Sequence, residues 1–280
     1  MKNLCLIFLL LIQYIYCHEN PVALVSKFKG KAIVVRQKKE FKIEKYMPIY
    51  KEDKIKTFSL SFVELLFENG VALRIEENCL LDIKKFIVTP DKYKTKTKIL
   101  LKVHEGSLIV DSFVFKDEYQ LEALHIFTPT TVVSVRGTIF YVSVKDDKST
   151  NIAVFEGEVE TYLESIDEEK FLSLEDEYEF EEMKKKKITI QENKQATFFP
   201  DTTIPAVVDL SFNILEYKRT LVEEFLKSTK GYRENFEKLK KQRNEWIMKN
   251  KENFKKEIME KKKKFTEEFE VEEFKKRRKK

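Results

Sequence analysis

Cysteine, glycine, proline and tryptophan are all scarce in this chain of 280 residues, at 3, 6, 6 and 1. Cys5 and Cys17 lie in the first seventeen residues, so beyond that stretch Cys79 stands alone. Once the first stretch is removed, no internal disulfide framework can form. The histidines His18, His104 and His125 are far apart and share no zinc-ligand spacing. No nucleophile has a base near it in motif context, no glycine-rich phosphate loop is present, and the carboxylates are abundant but unpatterned. An enzyme is therefore the least supported class, and no metal or other cofactor is expected. Long apolar runs are also lacking, since none reaches the ~20 residues of a membrane helix.

What is present begins with Met1–Cys17, MKNLCLIFLLLIQYIYC. Lys2 makes a small positive region and Leu4–Ile12 an apolar one, followed by polar His18, Glu19 and Asn20. This is the pattern of a secretory signal peptide over residues 1–17. Two processing routes fit. Cleavage after Cys17 would put Ile15 at −3, or Cys17 would be the lipidated first residue of a lipoprotein, with Tyr16 bulky for that motif. An uncleaved anchor or buried strand is the remaining alternative. The expected address is the periplasm or cell envelope, with a lipid anchor if Cys17 is modified.

The formal charge of +5 hides a split. From Asn213 to Lys280 there are 23 Lys+Arg against 14 Asp+Glu, +9, so the remainder carries −4. A basic C-terminal arm thus follows a mildly acidic body, an asymmetry typical of an interaction tail.

That body, residues 21–199, reads as short alternating strands. Val63, Leu65 and Phe67 alternate, as do Val71, Leu73 and Ile75. A three-residue loop between them pairs 67 with 71, 65 with 73 and 63 with 75, all apolar, and requires Gly70 to be left-handed. Gly106 and Gly157 also lie between β-rich runs, and each is expected to make a hairpin turn. In Thr128–Val144 the apolar phase slips: Val133 and Val135 are odd, Phe140, Val142 and Val144 even. A one-residue bulge near Arg136, Gly137 and Thr138 would explain it. Cys79, beside Leu80 and Leu81, reads as a small core residue rather than a reactive thiol.

Thr128-Pro129 followed by Val135-Arg136-Gly137-Thr138-Ile139-Phe140 resembles the signature of the FecR domain. The Gly70 hairpin, Leu101–Val110, Val154–Val159 and Ile188–Phe198 resemble its flanking strands, so the likeness covers about residues 50–198. It implies a compact domain of stacked antiparallel strands. In the best-known members such a domain sits in the periplasm and passes a receptor signal to a sigma factor. Those members carry a cytoplasmic anti-sigma segment and a membrane helix before the domain, whereas here only the leader precedes Pro21. A standalone exported module is the closer expectation. Arg136 could present its fork to an anion, or hold the bulge through a carboxylate or backbone carbonyls; Thr128 and Thr138 read as backbone partners.

Residues 164–187 form a charged insert, ten acidic residues before four lysines. It reads as an elongated hairpin or solvated loop. Pro200 and Pro205 mark a linker over 200–207, and a helical arm over 208–280 follows, with Asp209 or Ser211 as caps. From Leu221 an eleven-residue repeat places Phe225, Phe236, Ile247, Ile258 and Phe269 in one column. Leu221, Tyr232, Arg243, Phe254 and Phe265 form a second. That period, 3.67 residues per turn, keeps a narrow stripe on one face of a nearly straight helix. A continuous arm would extend roughly 105 Å, with Gly231 as the expected interruption. It would partner another envelope protein or another copy, lie on an anionic membrane surface, or stay solvated. The basic end, Lys275–Lys280, fits lipid headgroups or acidic polymer better than nucleic acid. The sequence thus predicts a mainly β, non-enzymatic module that binds, scaffolds or relays a signal through a membrane partner, ending in a long charged helical arm.

Overall fold

A computed structural model describes residues 20–114, 118–162, 187–201 and 204–252. The leader with Cys17, nearly all of the charged insert, and the repeat positions Ile258 and Phe269 lie outside the described residues. The strands are β1 (Ala23–Lys29), β2 (Ala32–Arg36), β3 (Lys39–Lys42), β4 (Pro48–Ile49), β5 (Lys54–Thr57), β6 (Phe62–Phe67), β7 (Ala72–Ile75), β8 (Leu80–Thr89) and β9 (Thr95–Asp111). They continue as β10 (Tyr119–Phe127), β11 (Val132–Val135), β12 (Ile139–Val144), β13 (Thr150–Glu156), β14 (Glu158–Tyr162), β15 (Lys187–Gln191), β16 (Lys194–Phe198) and β17 (Val207–Asp209).

Two sheets share one strand. The first runs β4-β1-β6-β7-β9-β12-β13-β16-β17. The second runs β3-β2-β5-β8-β9-β10-β11-β14-β15. Strand β9 is central in both. Up to Glu105 it pairs in the second sheet, and from Gly106 onward in the first. Every pairing is antiparallel except β9 with β10.

Apart from the passage from β9 to β10, the chain changes sheet at Gly30, Tyr46, Glu52, Leu60, Asn78, Gly106, Gly137, Gly157 and Asn193, and each of these has positive φ. The other positive-φ residues among those described, Gln37, Lys38, Gly70 and Lys148, turn hairpins within one sheet. One left-handed residue bends the chain out of its pleat, which lets a strand leave one sheet and enter the other. At Gly106 no side chain is tolerated: a Cβ would lie 2.4 Å from the Cys79 Cα. Gly106 and Gly157 are therefore corners, not hairpin turns, since the strands on either side of each belong to different sheets.

The Gly70 loop has the expected register. Val63 pairs with Ile75, Leu65 with Leu73, the Phe67 N–H bonds the Val71 carbonyl at 2.8 Å, and Gly70 has φ 92°. The phase slip after Val135 is real, but its cause is not a bulge. Strand β11 belongs to the second sheet and β12 to the first, so Arg136–Thr138 form a corner between sheets.

Alternation decides the layers. Val25, Leu65, Leu73, Val110, Phe140 and Val154 point between the sheets into the main core. Their neighbours Leu24, Leu66, Ala72, Ile109, Ile139 and Phe155 point outward from the first sheet. Helices cover that outer face. They are α1 (Phe212–Tyr217), a π turn (Lys218–Val222), α2 (Glu223–Glu234) and α3 (236–252). Val222, Phe225, Phe236 and Leu239 pack there.

Over the described residues, to 252, the arm is thus not a projecting rod. Its continuous first run has 23 residues, about 35 Å. The break falls at Asn235 (φ −111°, ψ 19°), while Gly231 stays helical. The side chains turned inward are Val222, Phe225, Thr229, Tyr232, Phe236, Leu239, Arg243, Trp246 and Asn250, with Ile247 half-buried beside them. Their steps alternate three and four, a seven-residue rhythm that keeps one face on the sheet. The expected linker is also shorter, because β17 occupies 207–209 and pairs with β16. Ser211 is the N-cap residue, although its side chain makes no capping bond.

Candidate functional site

The sequence motif and the helix-covered face occupy different places, and the second gathers buried, paired charge. At the motif, Arg136 donates from Nε and Nη2 to the Glu122 carbonyl at 3.0 and 2.6 Å. Glu122 is the extra residue at a register shift in β10. Thr128 Oγ1 donates to the Thr131 carbonyl at 2.8 Å and accepts from Thr150 Oγ1 at 3.0 Å, next to Pro129. Thr138 donates its N–H to Ser112 Oγ at 2.7 Å and its hydroxyl to the Glu158 carbonyl at 2.8 Å. Gly137 packs under the Phe113 ring, and Phe140 is fully buried. These residues bring the Gly137 and Gly157 corners together; the Gly157 Cα faces the Gly137 carbonyl.

The profile of the FecR protein family matches residues 53–160. This stretch is similar to a FecR domain. The matched stretch runs from β5 into β14 and contains all six motif residues; β15 and β16, resembling the closing strand, lie outside it. Two crystal structures of a protein provisionally assigned as an anti-sigma factor in Parabacteroides distasonis are similar to this chain. Their TM-scores are 0.40 and 0.39 at 11% and 12% identity, over 59% and 58% of this chain. The match spans 63% and 62% of those chains, less than two thirds of their length. No curated protein matches the chain.

Under the helices, outward positions of the first sheet carry charge. Glu64 on β6 is fully buried and accepts from Arg74 Nη1 at 2.9 Å and from the Tyr232 hydroxyl of α2. Arg74 also bonds Glu76 at 2.7 Å and stacks on Phe62. Burial pushes the Glu64 carboxyl up, and Tyr232, Lys27 and Arg74 offset this only in part. Burial and that carboxylate push the Tyr232 hydroxyl up as well. Asp111, buried at the end of β9, meets Arg233 at 2.7 Å and the Thr229 hydroxyl at 3.0 Å. Glu68 in the β6–β7 loop takes Arg243 and, at 3.2 Å, Lys240. Trp246 donates to Glu44 at 2.8 Å. Acids on the sheet thus face bases and hydroxyls on the helices. These partners were missed in the sequence, although Glu64 and Arg74 interrupt an apolar hairpin and Arg243 interrupts an apolar column.

Two surfaces adjoin this seam. One is a cleft of about 510 Å³ between α2, α3, strand β1 and the turn before β4. The other is the open edge of the first sheet. Among the described residues Phe199, Ile204, Val207, Val208, Phe212 and Leu215 are exposed there, on and beside β17. Cys79 is fully buried, and burial pushes its thiol up to about 12, which removes thiolate reactivity. Burial and the charge of Lys98 hold His125 down at about 4. Among the described residues no cluster of three His, Cys, Asp or Glu could hold a metal, and no helix is long and apolar enough to cross a membrane.

Proposed function

We propose that this protein is a non-enzymatic, exported component of the cell envelope, a FecR-type signalling module that works by binding another protein. The exposed apolar edge at β17 carries this reading. Edge strands present unpaired N–H and C=O groups, and native proteins normally blunt them with charge or cover. Here Val207 and Val208 are 40% and 48% exposed, and Phe212 is 78% exposed. Such a grouping is characteristic of a contact surface. The described part of the helical stripe is already occupied by the protein's own sheet, so the edge supports a partner better than those helices do.

A photo-crosslinking residue placed at Val208 or Phe212 of the full chain, activated in the envelope, tests this. The expected result is an adduct with a distinct envelope protein, absent when the probe sits at Lys39 on the opposite sheet's edge. Adducts with another copy of the chain alone would replace the signalling role with homo-assembly. No adduct at either position would overturn the reading.

A further inference from the structure

The cleft beside the seam has a composition that packing does not explain. Its charged lining is Lys27 and Lys45 from the sheet side and Lys227 and Lys238 from the helices, with no carboxylate among the lining residues. The hydroxyls of Ser26, Tyr232 and Ser228 and the amide of Asn235 already donate to Glu64, Glu224 and Gly231, so Tyr46 and Gln242 supply the further polar groups. Lys27 already shares Glu224 at 3.0 Å. Among the described residues Lys45, Lys227 and Lys238 have no carboxylate partner. Lys227 lies on α2 and Lys238 on α3, one on each side of the Asn235 break. Four lysines around one cleft raise its positive potential, which an entering anion would offset.

Gly231 points the same way. It is the one glycine without positive φ, it lies inside α2, and a Cβ there would meet nothing within 4 Å. Neither backbone geometry nor packing requires it, yet glycine in a helix costs roughly 1 kcal/mol relative to alanine. It lines the cleft, where the missing side chain leaves the floor open. The volume falls in the range of small-molecule sites, about 300–1,000 Å³.

We infer that this cleft binds a small phosphate-bearing anion, held between the first sheet and the helices. Three lysines without carboxylate partners supply the positive charge, and the Tyr46 hydroxyl and Gln242 amide suit phosphoryl oxygens. The site is separate from the β17 edge, and the inference stands whether or not the edge carries a partner.

Titration calorimetry of the full chain with tripolyphosphate tests it. Saturable binding that weakens with added salt is expected. The double variant Lys227→Glu/Lys238→Glu should weaken binding at least about tenfold, and Lys56→Glu on the second sheet should leave it unchanged. Gly231→Leu keeps the charge but fills the cleft, and should abolish binding in a chain that melts like the parent. Vesicles of phosphatidylglycerol in phosphatidylcholine form the second arm. Cosedimentation displaced by tripolyphosphate and lost in Gly231→Leu would identify a lipid headgroup as the source of the phosphate. Tripolyphosphate binding without cosedimentation would identify a soluble ligand. No binding by the parent chain, or binding unchanged in Gly231→Leu, would overturn the inference.

Discussion

Two glycines make opposite demands on the residue that replaces them. Gly106 has φ 87°, and its hydrogen faces the Cys79 backbone. Gly106→Ala should therefore destabilise the protein by more than about 2 kcal/mol, combining a strained φ with a backbone clash. Gly231→Ala should instead stabilise it by about 1 kcal/mol, because the helix gains propensity and nothing is displaced. Urea titrations of the two variants check both signs. A Gly106→Ala chain as stable as the parent would remove the argument that Gly106 is an obligatory corner. The sequence made Gly106 conspicuous because glycine is so rare here. It did not show what kind of bend the residue makes, since a hairpin and a change of sheet both need a left-handed residue. Only the partners of the flanking strands tell them apart.

At the scale of the element, the helices are placed by charge as much as by apolar contact. Val222, Phe225, Phe236 and Leu239 give area, while Glu64, Asp111 and Glu68 fix where along the sheet the helices sit. Arg233→Ala should cost about 3 kcal/mol, because it leaves the Asp111 carboxylate buried without its cation. Thermal melts measured beside Lys230→Ala, an exposed position on the same helix, separate that cost from a general helix effect. A cost equal to that of Lys230→Ala would mean that the seam does not hold the helices. The eleven-residue repeat exposed the helix and its apolar column at Phe225 and Phe236. It gave no partner for that column, because a narrow stripe fits a second helix, a membrane surface or a sheet equally well. The acids that select the sheet lie more than a hundred residues away in sequence.

For the whole molecule, the architecture depends on a chain that passes repeatedly between two sheets. Strand β9 joins them, and the segment matched to the FecR family, 53–160, holds the middle of both. That segment cuts through pairings at its borders. Without the flanks, β6 loses β1, β5 loses β2, β13 loses β16 and β14 loses β15. A fragment of residues 53–160 should therefore show no cooperative urea transition, while residues 20–252 should unfold in one step. Circular dichroism and tryptophan-independent probes read both chains. A cooperative fragment would show that the family segment is an independent domain.

The sequence by itself determined the strand-rich body, the Gly70 register and the phase slip after Val135, because alternation and left-handed turns are local and leave their mark on neighbouring residues. The likeness of the Arg136–Thr138 stretch to the FecR signature was legible for the same reason. Tertiary structure alone decided that the slip is a passage between sheets, that the helices lie on the first sheet, and that four lysines line one cleft. Each of these depends on which distant strand or helix comes alongside. That choice rests on burial and charge pairing across the whole chain, which no local window contains.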